Sequence, residues 1–258
     1  VNTGPENYIK TKTPVKYGNV YRLELNSELY EGVRFGWIHV KSFSKTWHIK
    51  GIRLVCQVKP TNYTGGFSSG DSTLNRTWYT GAYTVKLNLL DDYFGAILMD
   101  RGDRHSWTGD AHPAQAASLC AFGNFDFVKA NLVRTADDSN RIESYSLYWI
   151  FSLIDYYMYT GDNAFMGNYI ANVENKLSHA ATVYDSETDL RFFGWDERLG
   201  AGFENPNNSE TRAAYRMLYI RACRQFAEAM GHYGRSDLRD KYNNLADTKI
   251  AQLRTDSR

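Results

Sequence analysis

The chain has 258 residues, Lys+Arg 30 against Asp+Glu 29, and a formal net charge of +1. That balance excludes a binder that relies on a basic face for nucleic acid, and it leaves no acidic tail. With 43% hydrophobic and 23% charged residues the composition is that of a folded protein, long enough for one large domain or two modest ones. No apolar run approaches the roughly 20 residues needed to cross a bilayer. The sequence does not begin with Met and shows no signal peptide, so it is read as a processed form or a fragment. Three cysteines, Cys56, Cys120 and Cys223, form no disulfide framework, and the last two lie in apolar helical stretches as small buried hydrophobes. Aromatics stand out at 15%, with nineteen Tyr and six Trp. They fit either an aromatic core or a cleft for sugars, whose faces and hydroxyls suit flat rings with polar handles.

Taken in chain order, residues 20–25, 34–40 and 49–58 are rich in Val, Ile, Tyr, Trp and Phe, separated by Gly, Ser, Asn and Lys. This predicts strands joined by polar turns, a β-sandwich-like segment over 1–66. The turn-rich stretch 59–66 ends it. From Asp71 helical spacing takes over in a domain spanning 67–258. Leu74, Trp78, Ala82, Val85 and Leu89 mark the buried face of a first helix. Pro113 suits the first turn of a second, which Ala116, Cys120, Phe127 and Leu132 continue past an interruption near Gly123. Further helices are predicted over 145–159, 163–184, 210–230 and 236–253. Six helices in sequence favour paired antiparallel packing, which could build a bundle, a solenoid or part of a toroid. Sequons at Asn62, Asn75 and Asn207 favour a secreted, glycosylated protein.

Three stretches carry polar groups suited to chemistry. Residues 99–113 pack three Asp, two Arg, two His and a Trp between two apolar helices. Such a loop is either a solvated set of ion pairs or a catalytic loop on a helical scaffold. Interleaved Asp and Arg can hold one carboxylate ionised and leave another able to carry a proton. His105 and His112, seven apart beside Asp103 and Asp110, match no zinc-ligand spacing, so no metal is expected. Residues 192–206 form a long loop with three glycines, a Trp and three acids, and Trp195 beside Asp196 offers either a sugar platform or a loop anchor. Residues 142–149 open a helix on which Trp149, Leu153 and Tyr156 share a face. That stripe reads as core or as a cleft wall, with Glu143 and Ser144 better placed to reach a cleft.

Read together, these segments resemble α-L-rhamnosidases, inverting glycoside hydrolases of family seventy-eight, and their six-hairpin relatives. The stretch 67–78, FSSGDSTLNRTW, looks like the family's entry into its helical domain, with Gly70 where Ser is usual. Residues 101–110, RGDRHSWTGD, echo its signature R-D-E-R-x-G-W-x-G-D. The helix 145–162 and the Trp195-Asp196 pair resemble later family elements. The resemblance covers roughly residues 15–258. It implies part of an (α/α)6 toroid preceded by a β-sandwich segment, a mainly α chain. It also implies a rhamnose-containing glycan as substrate and no organic cofactor. Anchored on Trp107, Gly109 and Asp110, it places the general acid at Asp103, with Asp where the family commonly has Glu. Asp100, Arg101, Trp107, Asp110, Trp149, Trp195 and Asp196 fall to substrate binding, and the general base to a Glu beyond this sequence. Two other readings stay open. One is a non-catalytic glycan-binding or structural protein on the same fold. The other is an enzyme acting on a uronate-containing polysaccharide, for which Arg101, Arg104 and Arg198 would supply cations.

Overall fold

A computed structural model describes residues 15–22, 44–46, 48–51, 58–95, 106–186, 190 and 209–256. The chain divides into two compact units. Described residues up to 51 belong to the first and those from 58 onward to the second.

In the first unit, β1 (Val15–Tyr17) pairs antiparallel with β2 (Val20–Arg22) in a two-residue hairpin, with Val15 opposite Arg22 and Tyr17 opposite Val20. Within the expected strand 20–25 the described part ends at Arg22, and residues 49–51 and 58 lie outside any strand. The expected strand 34–40 lies outside the described residues.

The second unit holds seven helices among its described residues: α1 (Ser72–Leu87), α2 (Thr108–Ala121), α3 (Phe125–Thr135), α4 (Glu143–Thr160), α5 (Asn163–Asp185), α6 (Ser209–Tyr233) and α7 (Ser236–Asp256). Residues 58–66, expected to close the β-rich segment, pack here instead. Lys59 N–H donates to Leu89 O at 2.7 Å, and the amides of Thr64 and Gly65 both donate to Ala121 O at 3.0 Å. The expected second helix is two. Gly123 (φ 72°) and Asn124 (φ 41°) adopt left-handed backbone that no α-helix continues through, so α2 ends and α3 starts there. Pro113 is the sixth residue of α2 rather than in its first turn, because the helix begins at Thr108.

The helices form two layers. α2, α4 and α6 lie side by side in a row, and the backbones of α1, α3, α5 and α7 pack against that row and not against one another. The row is parallel. Pairs between α2 and α4 run in step, from Asp110–Tyr145 through His112–Ser152 to Cys120–Tyr159. Between α4 and α6, Arg221 stacks over Phe151 and Tyr157 meets Tyr233, so the order continues. The N-terminal ends of α2, α4 and α6 therefore share one end of the unit.

This arrangement explains the burial. α4, in mid-row, is flanked by four helices and buries eleven of its eighteen residues, as expected of a helix apolar on nearly all sides. α1, at the margin, buries only Ala82, and Leu74 on its expected core face is 53% exposed. The main core runs from Leu89 and Phe94 through Trp149, Leu153 and Phe226 to Tyr242 and Ala246. Gly161 in left-handed backbone (φ 64°) ends α4, and Asp162 at once caps α5 by accepting Phe165 N–H at 3.0 Å. No helix among the described residues is long and apolar enough to cross a membrane.

Candidate active site

The sequence Trp107-Thr108-Gly109-Asp110 is the joint between the start of α2 and the start of α4. Trp107 is extended (φ −99°, ψ 112°) just before α2 and gives no side-chain cap. Asn140, from the 136–142 bend between α3 and α4, supplies one: its Oδ1 accepts Thr108 N–H at 2.8 Å. The Thr108 hydroxyl, on a residue only 2% exposed, donates to Asp138 O. Gly109 lies under the Tyr145 ring, where a Cβ would meet Tyr145 Cε1 at 2.2 Å. Asp110, in the first turn of α2, accepts the Tyr145 hydroxyl at 2.9 Å, and the helix dipole favours a carboxylate there. Burial, with the Asp110 charge next in weight, pushes the Tyr145 phenol well above its usual range, so it stays a donor. Trp107 packs on Ile142 and Tyr145, and its Nε1 is buried with no hydrogen-bond partner. Trp107 and Asp110 are thus brought together around Tyr145.

Beside this joint runs a polar seam along the row. His112 stacks on Tyr148 at 5.5 Å, and its Nδ1 lies 3.1 Å from Ser152 Oγ. Burial and, secondarily, the Arg221 guanidinium lower the His112 pKa to about 4, so the ring is neutral at neutral pH. Burial raises the Asp155 pKa, and Arg221 opposes that shift. Gln115 Nε2 donates to Ser152 O at 2.6 Å, while Gln115 Oε1 and Ser118 Oγ are buried without partners, as groups completed by an internal water would be. Sequence reasoning did not single out Tyr148, Ser152, Asp155 or Arg221. The signal was present: 148, 152 and 155 form a polar stripe at helical spacing along an otherwise apolar helix.

Two of the expected cleft residues lie elsewhere. Trp149 is 1% exposed, its Nε1 donates to Leu132 O at 3.1 Å, and Tyr169 packs edge-on against it at 5.4 Å. It is a core residue and forms no wall of an open site. Ser144 is fully buried rather than facing a cleft. Glu143, by contrast, opens α4 and pairs with His179 Nε2 at 2.9 Å. Cys120 is exposed, with Sγ 3.0 Å from the Tyr159 hydroxyl, whereas Cys223 is buried as expected. Asp100, Arg101, Asp103, Trp195 and Asp196 lie outside the described residues, as do Cys56 and Asn207. In chain order the 99–107 stretch leads into α2 and the 192–206 stretch into α6, whose N-terminal ends adjoin that of α4.

No family model matches the chain, and no curated protein matches it. Among solved structures, the α-L-rhamnosidase from Dictyoglumus thermophilum is similar, with a TM-score of 0.63 at 14% identity. The likeness covers 76% of this chain and 24% of that one. It is a likeness of fold, and the chain spans about a quarter of that protein's length.

Proposed function

We propose that the chain belongs to a glycoside hydrolase that removes terminal α-L-rhamnosyl, or closely related deoxy-sugar, residues with inversion. The observation that carries this reading is the likeness of fold to a solved α-L-rhamnosidase. The Trp107–Asp110 joint supports it, because the residues that echo the family's signature are those that join two parallel helices at one end of the row. On this reading the helices are an arc of an (α/α)6 toroid, and the protein is secreted or extracellular and acts on a rhamnose-containing glycan or glycoside.

Inversion requires one carboxylic acid to protonate the leaving oxygen and a carboxylate to activate water on the opposite face of the sugar. Asp103 is the acid. Arg101 and Asp110 fix its ionisation and hold sugar hydroxyls. Asp100 and Asp196 also bind the substrate, and Trp107 and Trp195 form the walls. Asp110 keeps one oxygen on Tyr145, which leaves the other to accept a sugar hydroxyl. The base is a Glu outside these residues.

The test is hydrolysis of p-nitrophenyl α-L-rhamnoside by the protein carrying this chain, beside its Asp103→Asn variant. Release by the wild type that collapses in the variant is expected. A silent wild type that still binds rhamnosides would replace the hydrolase with a glycan-binding protein, the reading that Asp in place of Glu at 103 favours.

A further inference from the structure

Two of the Asn-x-Ser/Thr sequences, Asn62-Tyr63-Thr64 and Asn75-Arg76-Thr77, lie among the described residues. As sequences they are equivalent, each offering an amide for a glycan and a threonine two places on. The fold treats them differently.

Asn75 is the fourth residue of α1, and its amide is committed at both ends to one residue. Its Oδ1 accepts Ser69 N–H at 2.8 Å, and its Nδ2 donates to Ser69 O at 3.0 Å. Two bonds to the N–H and C=O of a single residue use the amide hydrogen on the same side as Oδ1. A glycan joined to Nδ2 takes that position, because the substituted amide is trans like a peptide bond. The sugar would therefore displace the hydrogen that reaches Ser69 O and stand where the Ser69 backbone now lies. The helix also parts the two groups of the sequence, since residues two apart on it do not face each other. The Thr77 hydroxyl is turned back to Thr73 O at 2.9 Å.

Asn62 and Thr64 are both exposed and lie outside any helix or strand. Neighbouring groups hold this stretch in place. Thr61 Oγ1 donates to Asn124 Oδ1 at 2.7 Å, the Tyr63 ring packs on Phe122 at 5.0 Å, and Thr64 N–H donates to Ala121 O at 3.0 Å. The Asn62 side chain itself has no hydrogen-bond partner among the described residues. Substituting its amide therefore breaks no bond of the fold.

We propose that Asn62 is an N-linked glycosylation site and that Asn75 is not. This rests on the reading of the protein as secreted. The donor is a lipid-linked glycosyl diphosphate. Nδ2 bonds to the anomeric carbon, the bond from that carbon to the diphosphate oxygen breaks with its electron pair, and one Nδ2 proton passes to a base of the transferase. Transfer acts on a chain that has yet to fold, so the fold selects afterwards. A chain substituted at Asn75 cannot close onto Ser69 at the start of α1, whereas one substituted at Asn62 meets no such obstacle.

The experiment secretes the protein carrying this chain from a eukaryotic cell behind an added leader. Peptides of the folded fraction are read by mass spectrometry before and after an amidase that leaves Asp wherever a glycan was attached. A glycan at Asn62 in most molecules and a bare Asn75 are expected. A bare Asn62, or a glycan on Asn75 in the folded fraction, overturns the assignment. The bonding is tested separately in unglycosylated protein. Asn75→Ala is expected to lower Tm by about 2–4 °C, and Asn62→Ala to leave it unchanged. Equal shifts from the two variants would mean that the fold does not distinguish them, and the inference fails. Protein from its natural source that stays inside the cell and is bare at Asn62, beside leader-routed protein modified there, overturns the secretion reading and not the choice between the two asparagines.

Discussion

Tyr145 donates its hydroxyl to Asp110 while its ring edge occupies the space a side chain on Gly109 would need. One side chain thus accounts for two adjacent residues of the Trp-Thr-Gly-Asp sequence. Gly109→Ala forces the ring or the helix start to move, at a cost of about 1–3 kcal/mol by overpacking. The penalty belongs to the pair, so in a Tyr145→Ala background the same Gly109→Ala change should cost little. Urea denaturation of the four proteins of this cycle measures the coupling. A Gly109→Ala cost that is unchanged when Tyr145 is removed would show that some other contact demands the glycine.

The tryptophans divide by their indole nitrogens. Trp149→Phe leaves Leu132 O without its buried donor and opens space in the core, for a loss of about 2 kcal/mol. Its effect on rhamnoside affinity should be nil once the variant is folded. Trp107→Phe sacrifices no hydrogen bond, because Nε1 has no partner, and should cost little stability. If that N–H serves a sugar, affinity falls at least several-fold. Calorimetric titration with a rhamnoside, beside denaturation curves, separates the two. A Trp149 variant that is stable but loses affinity would return that residue to the cleft.

Helical spacing reports which residues are buried together, not what buries them. That is why α4 and α5 match their expected extents closely, while the stripe containing Trp149 fitted both core, the favoured reading, and cleft wall. The choice between those depends on Leu132 and Tyr169, whose proximity arises only in the folded unit. The division between α2 and α3 was half legible: Gly123 marked an interruption, but Asn124 in left-handed backbone made it a full break. Residues 59–66 read as a turn because they carry Pro, Gly and Thr. Their attachment to Ala121 and Leu89 uses backbone amides, which leave no trace in side-chain pattern. The Trp-Thr-Gly-Asp motif was legible as a feature. Its partners Asn140 and Tyr145, more than 30 positions away, were not.

His112 makes stability depend on pH in a calculable direction. Its folded pKa, about 4, lies below the usual 6.5, so between those values the unfolded chain binds a proton that the native ring refuses. The contribution is complete above pH 6.5 and is lost as pH falls toward 4. The shift amounts to at most roughly 3 kcal/mol. His112→Gln should flatten the decline in Tm between pH 7 and pH 5 relative to wild type, and Arg221→Gln should reduce it by removing the nearby cation. Identical pH profiles for wild type and His112→Gln would rule out His112 as the titrating group.

Lys249 of α7 is 8% exposed, and its Nζ meets Asp185 at the end of α5 at 2.6 Å and the Tyr184 ring at 4.5 Å. The carboxylate is 63% exposed, so the two partners are desolvated unequally. Removing the acid strands a nearly buried ammonium, whereas removing the lysine leaves a carboxylate that water can still reach. Asp185→Asn is therefore expected to destabilise by about 1–3 kcal/mol, and Lys249→Met, which keeps the apolar stem, by less than about 1 kcal/mol. Added salt should change neither value much, because the ammonium is shielded from the ionic atmosphere. The order of the two variants in urea denaturation decides the point. If Lys249→Met proves the more damaging, the pair's attraction outweighs the cost of burying the ammonium, and the bridge contributes net stability between α5 and α7.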